Sequence, residues 1–375
     1  WKVRHAGIKA AGPMARLPLT IDARGEAPSG RWKLNGSGVL TQLGPEYLLA
    51  LDAAGAMART EIKTREAAQI RFGGPRTNAR LRLSVGDGAA DLDADVGGDL
   101  ATLRAQLTGV SLTAINPDMA GKVDAHVTLS GSGPTLTGEF DANLIGARER
   151  GPRTDRALNA EIRGVLRDNT MTINATSTTS QGLQAKAEVV LPTEASAKPF
   201  HLAINRQRAV RGQFTAQGEI KPLWDLLGSS ERSVSGKIDA EGELAGTLAD
   251  PRLTGRASLE GGRVDDGQTG LSLRDVIVRV GLADNAIDVS QVSAGDGQGG
   301  TMSGSGRISL ARGGLGSFKL DLKGFRVIDN ELASATASGQ TTVNRGADGK
   351  VKMAGALVID RADVSAQTKT PAGVV

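Results

Sequence analysis

The sequence contains no cysteine, which removes disulfides, thiol nucleophiles and Cys-based zinc sites together. Aromatic residues are scarce as well: 3 Trp, 1 Tyr and 6 Phe in 375 residues. Compact globular cores lean on aromatic rings for buried area, so this chain must bury its apolar atoms in some other way. The three histidines, His5, His126 and His201, stand far apart in the chain. Without Cys partners they read as structural or solvated residues rather than metal ligands or catalysts. No apolar run is long enough to span a bilayer, and the chain opens at Trp1 without an initiator Met or a signal peptide. It reads as a piece of something longer, with any membrane anchor outside it.

A one-sided charge is also missing, since Lys plus Arg number 45 and Asp plus Glu 41, for a net charge of +4. The densest basic stretches, Arg148, Arg150, Arg153, Arg156 and Arg206, Arg208, Arg211, are short and have no aromatics interleaved. Nucleic-acid binders show a basic face with rings to stack on bases. This pattern is instead that of a solvated outer face.

Glycine is what the chain has in excess, with 50 residues. Each costs about 1 kcal/mol inside a helix relative to Ala, which argues against a helical bundle. No strict Gly-X-Y period appears, so collagen is excluded. Apolar residues recur at every second position, the mark of half-buried strands. Leu81, Leu83, Val85 form one run; Leu103, Ala105, Leu107 the next; then come Val123, Ala125, Val127, Leu129 and Leu158, Ala160, Ile162. Leu183 through Leu191, Phe200 through Ile204, Phe318 through Leu322 and Val351 through Ile359 keep the same beat. Turn signals separate the runs: Gly86-Asp87-Gly88, Asp168-Asn169, Asp284-Asn285, Gly313-Gly314 and Asp348-Gly349. An antiparallel meander of about 25–30 strands is expected. Two short helices are candidates, Pro222 to Leu227 ending at Gly228, and Glu46 to Leu51 after Pro45.

Internal similarity is present but irregular. Gly121 to Ala125 echoes Gly236 to Ala240, and Pro134-Thr135-Leu136-Thr137-Gly138 echoes Pro251-Arg252-Leu253-Thr254-Gly255. A weaker copy runs from Met353-Ala354-Gly355 to Val364. The unequal offsets suggest strand-and-turn modules, approximately 108–220, 221–330 and 331–375, within one continuous region 1–375. The Gly that closes each echo lies inside a strand, where it marks a bend or a close approach.

The stretch from Gly242 through Gly246-Thr247-Leu248, Pro251, Leu253 and Gly255 resembles the signature of the TamB family, AsmA-like periplasmic proteins of Gram-negative bacteria. The likeness continues through Gly261-Gly262 and the Gly-rich run from Gly295 to Gly306. The resemblance implies an all-β fold: a long antiparallel sheet curled into a taco-like or β-helix-like elongated groove with an apolar lining. It implies a non-enzymatic conduit carrying phospholipid acyl chains between inner and outer membranes, with an outer-membrane barrel partner, TamA-like, and an inner-membrane anchor outside this chain. No cofactor, no metal and no nucleic acid belongs to that picture.

On this reading the groove is lined, in the first half, by Leu81, Leu83, Leu103, Leu107, Val123 and Val127. Leu129, Leu158, Ile162, Val189, Leu202 and Ile204 follow. In the second half the expected lining is Ile238, Leu244, Leu253, Leu259 and Leu273, then Val278 or Ile277 according to register, and Val280. It closes with Ile308, Leu320, Leu322, Val351, Leu357 and Ile359. The same alternation would also pack a dry sandwich or β-helix, such as a secreted adhesin or autotransporter passenger.

Carboxylates are the remaining candidates for chemistry. Asp91, Asp93 and Asp95 alternate with Leu92, Ala94 and Val96, which makes them the wet face of a strand. Asp265-Asp266 and the Gly295 to Gly300 stretch fall short of a calcium-binding nonapeptide repeat. Ser303 and Ser305 have no nucleophile-elbow context.

Overall fold

A computed structural model describes residues 2–27, 30–150, 157–179, 182–227, 232–267, 270–283, 286–309, 313–329 and 333–364. The chain is all-β, 80% strand and 2% helical, and it is not a closed barrel. Among the described residues there are 24 strands, all pairs antiparallel. Arg153, Arg156, the Asp284-Asn285 turn and Gly228 lie outside the described residues.

The strands fall into two compact units, one carrying residues 1–180 and 186–210, the other 181–185 and 211–375. The first unit begins with β1 (Lys2–Ala10), β2 (Arg16–Ala27), β3 (Gly30–Leu43) and β4 (Glu46–Met57). Two short strands, β5 (Thr60–Thr64) and β6 (Ala68–Phe72), together span the space between β4 and β7 (Arg76–Val85). The meander continues through β8 (Gly88–Gly97), β9 (Leu100–Ser111), β10 (Met119–Ser132), β11 (Thr135–Glu149), β12 (Leu158–Arg167) and β13 (Thr170–Thr179). A further hairpin, β14 (Gln184–Ala197) and β15 (Phe200–Ile204), completes this part of the chain.

The second unit holds β16 (Arg211–Glu219), a single helix α1 (Lys221–Leu227), β17 (Arg232–Gly246), β18 (Pro251–Asp266) and β19 (Ser272–Ala283). It ends with β20 (Ala286–Gly295), β21 (Thr301–Ser309), β22 (Gly316–Asp329), β23 (Ala333–Arg345) and β24 (Val351–Val364). Each strand pairs with the next in sequence, as short turns between alternating segments require.

The helix expected at Pro222 to Leu227 forms, with Pro222 buried in its first turn, where a missing N–H costs nothing. The helix expected at Glu46 to Leu51 does not, because that segment is the start of β4. Gly44-Pro45 is a two-residue hairpin turn, with Gly44 at φ 66. Tyr47, Leu49 and Leu51 then alternate against Phe72, Ile70 and Ala68. A two-residue periodicity backed by a partner strand outweighs a weak helix start.

An apolar face with glycine sockets

Following side chains from strand to strand through the observed register shows which residues share a face, because directly paired residues project to the same side. In the first unit one row reads Leu83, Ala90, Leu107, Ala125, Ala142, Ile162, Ala175 across β7 to β13. A second reads Leu81, Leu92, Ala105, Val127, Phe140, Gly164, Ile173, and a third contains Leu103, Leu129, Gly138, Leu166 and Met171. Val123 is paired with Val110 and Leu144, and Leu158 with Ala147, on the same face.

The second unit repeats the arrangement. Ala216, Ala240, Ala257, Val280, Val289, Gly306, Phe318, Val343 and Met353 form one unbroken row over β16 to β24. Beside it run Ile238, Leu259, Val278, Val292, Gly304 and Leu320. Leu244 pairs with Leu253, Leu273 with Val264, and Ile308 with Ile287. Leu322, Leu357 and Ile359 meet this face through Gly339 and Ala337, and Val351 through Arg345.

Bulges decide the finer register. Between Leu259 and Gly262 the ladder slips at Gly261, with φ 56, and Asp275 opposite has φ 49. After the slip Val276 and Val278 lie on the apolar face and Ile277 on the other, paired with Ser293.

Most side chains on this face are half-buried rather than buried: Leu81, Leu103, Leu107, Leu253, Leu259, Val278, Val280 and Leu320 all keep contact with solvent. Val123, Leu158 and Leu322 are buried. A dry sandwich would bury the whole inner face of each strand. Here a cluster of fully buried residues comprises Ala101, Leu136, Leu166, Ala195 and Ala197, with Val96, Leu129 and Met171 packed against it.

Large residues on the face lie over glycines. A Cβ built on Gly242 would sit 2.7 Å from the Phe214 ring, and one on Gly304 2.8 Å from Leu320 Cδ2. Phe140 covers Gly164 and Phe318 covers Gly306 in the same way. Of the bend or close approach expected at Gly138, Gly255 and Gly355, the structure shows the close approach: a Cβ there would fall 2.2, 2.2 and 2.3 Å from the Thr128, Glu241 and Gln340 carbonyl oxygens.

Three expected lining residues lie on the β14–β15 hairpin. Val189 alternates in step with Leu191 and Ala195 on β14. Leu202 and Ile204 pair with Ala195 and Thr193, and they are 38% and 47% exposed. Alternation alone does not reveal that the end of β14 crosses the turns of earlier hairpins.

The opposite face is polar. Asp93 receives Arg82 at 2.7 Å and Arg80 at 3.3 Å, Arg76 reaches Asp95 at 3.4 Å, and Arg65 contacts Asp91. The hydrogen bond from Arg82 holds the Asp93 carboxyl below the usual carboxylate range; burial opposes it and Arg80 adds to it. Asp265 is lowered chiefly by Arg263, with help from Ser272, and Asp266 takes Arg232 at 3.2 Å. In the Gly295 to Gly300 turn, Asp296 accepts backbone N–H groups of Gln298, Gly300 and Arg326 at 2.8, 2.9 and 3.0 Å. These carboxylates are engaged in structural contacts. His5 lies 2.5 Å from Asp22, and His201 lies 3.8 Å from Glu194. No group of metal-binding side chains and no membrane-spanning helix occurs among the described residues.

Comparison with family models, curated proteins and solved structures returns no match to this chain.

Proposed function

We propose that the apolar face is a binding surface for phospholipid acyl chains, and that the chain is a non-enzymatic section of a periplasmic conduit between inner and outer membranes. The observation that carries this reading is the row from Ala216 to Met353, unbroken across nine hydrogen-bonded strands and without a charged side chain. Eight steps at about 4.8 Å make a lateral path of roughly 38 Å. Its side chains offer hydrocarbon and no hydrogen-bonding group, so an acyl chain laid along it is stabilised by about 25 cal/mol per Å² of apolar area covered.

The half-exposed state of the face favours an occupant over a closed core, since monomeric proteins seldom leave a contiguous apolar surface without a function for it. The TamB-like motif around Gly242 to Gly255 lies on this same face through Leu244 and Leu253. In that setting the outer-membrane partner is a TamA-like barrel, and outer-membrane protein assembly is the process served.

The test is extraction of the purified chain with organic solvent, followed by mass spectrometry of the extract. Co-purified phospholipid in stoichiometric amount is expected. A lipid-free chain that also fails to take up phospholipid from vesicles would return the face to an adhesin-type surface role.

A further inference from the structure

The end of β14 runs across the turns of three successive hairpins. Thr193 N–H donates to the Asn169 carbonyl at 2.8 Å, and Ala195 N–H donates to Asn169 Oδ1 at 3.1 Å. Ala197 and Lys198 N–H both donate to the Gly133 carbonyl, at 3.0 and 2.8 Å. Lys198 Nζ then reaches Asp99 Oδ1 at 2.7 Å. Asn169, Gly133 and Asp99 belong to the β12–β13, β10–β11 and β8–β9 turns, which share one rim of the sheet.

The register places Thr193, Ala195 and Ala197 on one face of the hairpin with Ile204, Leu202 and Phe200. That face is turned onto the rim, where Ala195 and Ala197 seal the buried cluster with Leu136 and Leu166. Phe200, Leu202 and Ile204 stay exposed beside the seal. Four backbone N–H groups and two alanine methyls hold the closed contact. Its outer end rests on the Lys198–Asp99 pair, 60% and 68% exposed, and it leaves Thr193 Oγ1 buried without a hydrogen-bond partner. An unpaired buried hydroxyl penalises the closed state and is relieved when water returns.

We propose that the β14–β15 hairpin is a lateral gate through which an acyl chain enters the apolar face of the first unit. Lys198–Asp99 is its latch, and Phe200, Leu202 and Ile204 are the ridge that first meets the lipid tail. The inference rests on the lipid-binding reading above. Lifting the hairpin exposes Leu129, Leu136, Leu166 and Met171, a patch continuous with the half-open rows.

Because the chain has no other cysteine, Asp99→Cys with Lys198→Cys can be joined selectively by a short bismaleimide. Uptake of fluorescent phosphatidylethanolamine from phosphatidylethanolamine–phosphatidylglycerol vesicles is then followed in the original chain and in the open and cross-linked variants. The expected result is a several-fold slower uptake after cross-linking, with circular dichroism unchanged. In parallel, Lys198→Glu breaks the latch by like-charge repulsion and should speed uptake. If the original chain takes up lipid while cross-linking and Lys198→Glu both leave its rate unchanged, the gate is overturned and the lipid surface stands. If no form takes up lipid, the lipid reading falls and the gate with it.

Discussion

Phe214 pairs with Gly242 on the neighbouring strand, and a Cβ at Gly242 would come within 2.7 Å of both the ring and the Thr254 carbonyl. The glycine is needed for space, and the ring takes the place of its missing side chain. Gly242→Val should displace the Phe214 ring and cost about 1–3 kcal/mol, as overpacking does. Urea unfolding with tryptophan fluorescence reads the loss; an unchanged midpoint would show that the ring has another resting place.

The dry cluster and the open rows should answer differently to the same truncation. Leu136 is 2% exposed beneath the hairpin, whereas Leu103 on the same sheet is half-buried. Leu136→Ala is expected to cost about 2–4 kcal/mol and Leu103→Ala clearly less, because only the buried site leaves a cavity. Equal losses in thermal unfolding would mean that the rows are packed as tightly as the cluster.

A charge placed in an open row can stay hydrated. Leu320→Arg should therefore leave circular dichroism and protease resistance intact while, on the lipid-binding proposal, excluding acyl chains locally and lowering phospholipid uptake from vesicles. In a water-excluded core the same charge would cost several kcal/mol and unfold the chain.

Thr193 is 1% exposed and its hydroxyl has no partner. Thr193→Val keeps the shape and removes the buried polar atom, so stability should rise by about 1 kcal/mol. On the gate proposal the same variant takes up lipid more slowly than the original chain. A destabilised Val variant would show that the hydroxyl is satisfied in solution.

Acid sensitivity follows from Asp93. Its carboxyl is held lower in the folded chain than in the unfolded one, by Arg82 foremost, against burial and with help from Arg80. The pair therefore stabilises the fold fully above about pH 4, the ordinary carboxylate value, and that contribution is lost as pH falls through the lowered folded value. Asp93→Asn should narrow the difference between unfolding midpoints measured at pH 7 and in the acid range. The effect is small, since Asp93 is 45% exposed and solvent screens the pair. An unchanged difference would assign the acid response to other carboxylates.

Strand positions and their inward faces could be read from the residues alone, because side chains alternate strictly and a half-buried strand must show that alternation. Leu253, Gly255, Ala257 and Leu259 fall on one side in the sequence and do so in the register. Asp91, Asp93 and Asp95 likewise stand opposite Leu92, Ala94 and Val96. What a strand does not carry is its partner. Whether Val278 or Ile277 faces inward depends on a bulge at Gly261 and Asp275, which exists only between two paired strands. Whether the segment from Glu46 is a helix or a strand is settled by Phe72 and Ile70, across from Tyr47 and Leu49. The glycines of the apolar rows are sockets only because Phe140, Phe214 and Phe318 arrive from neighbouring strands. The course of β14 over the turns at Asn169, Gly133 and Asp99 joins residues up to 99 positions apart through backbone and side-chain contacts. Alternation is a local property of the chain, and these contacts are properties of its pairing, so only the folded structure could decide them.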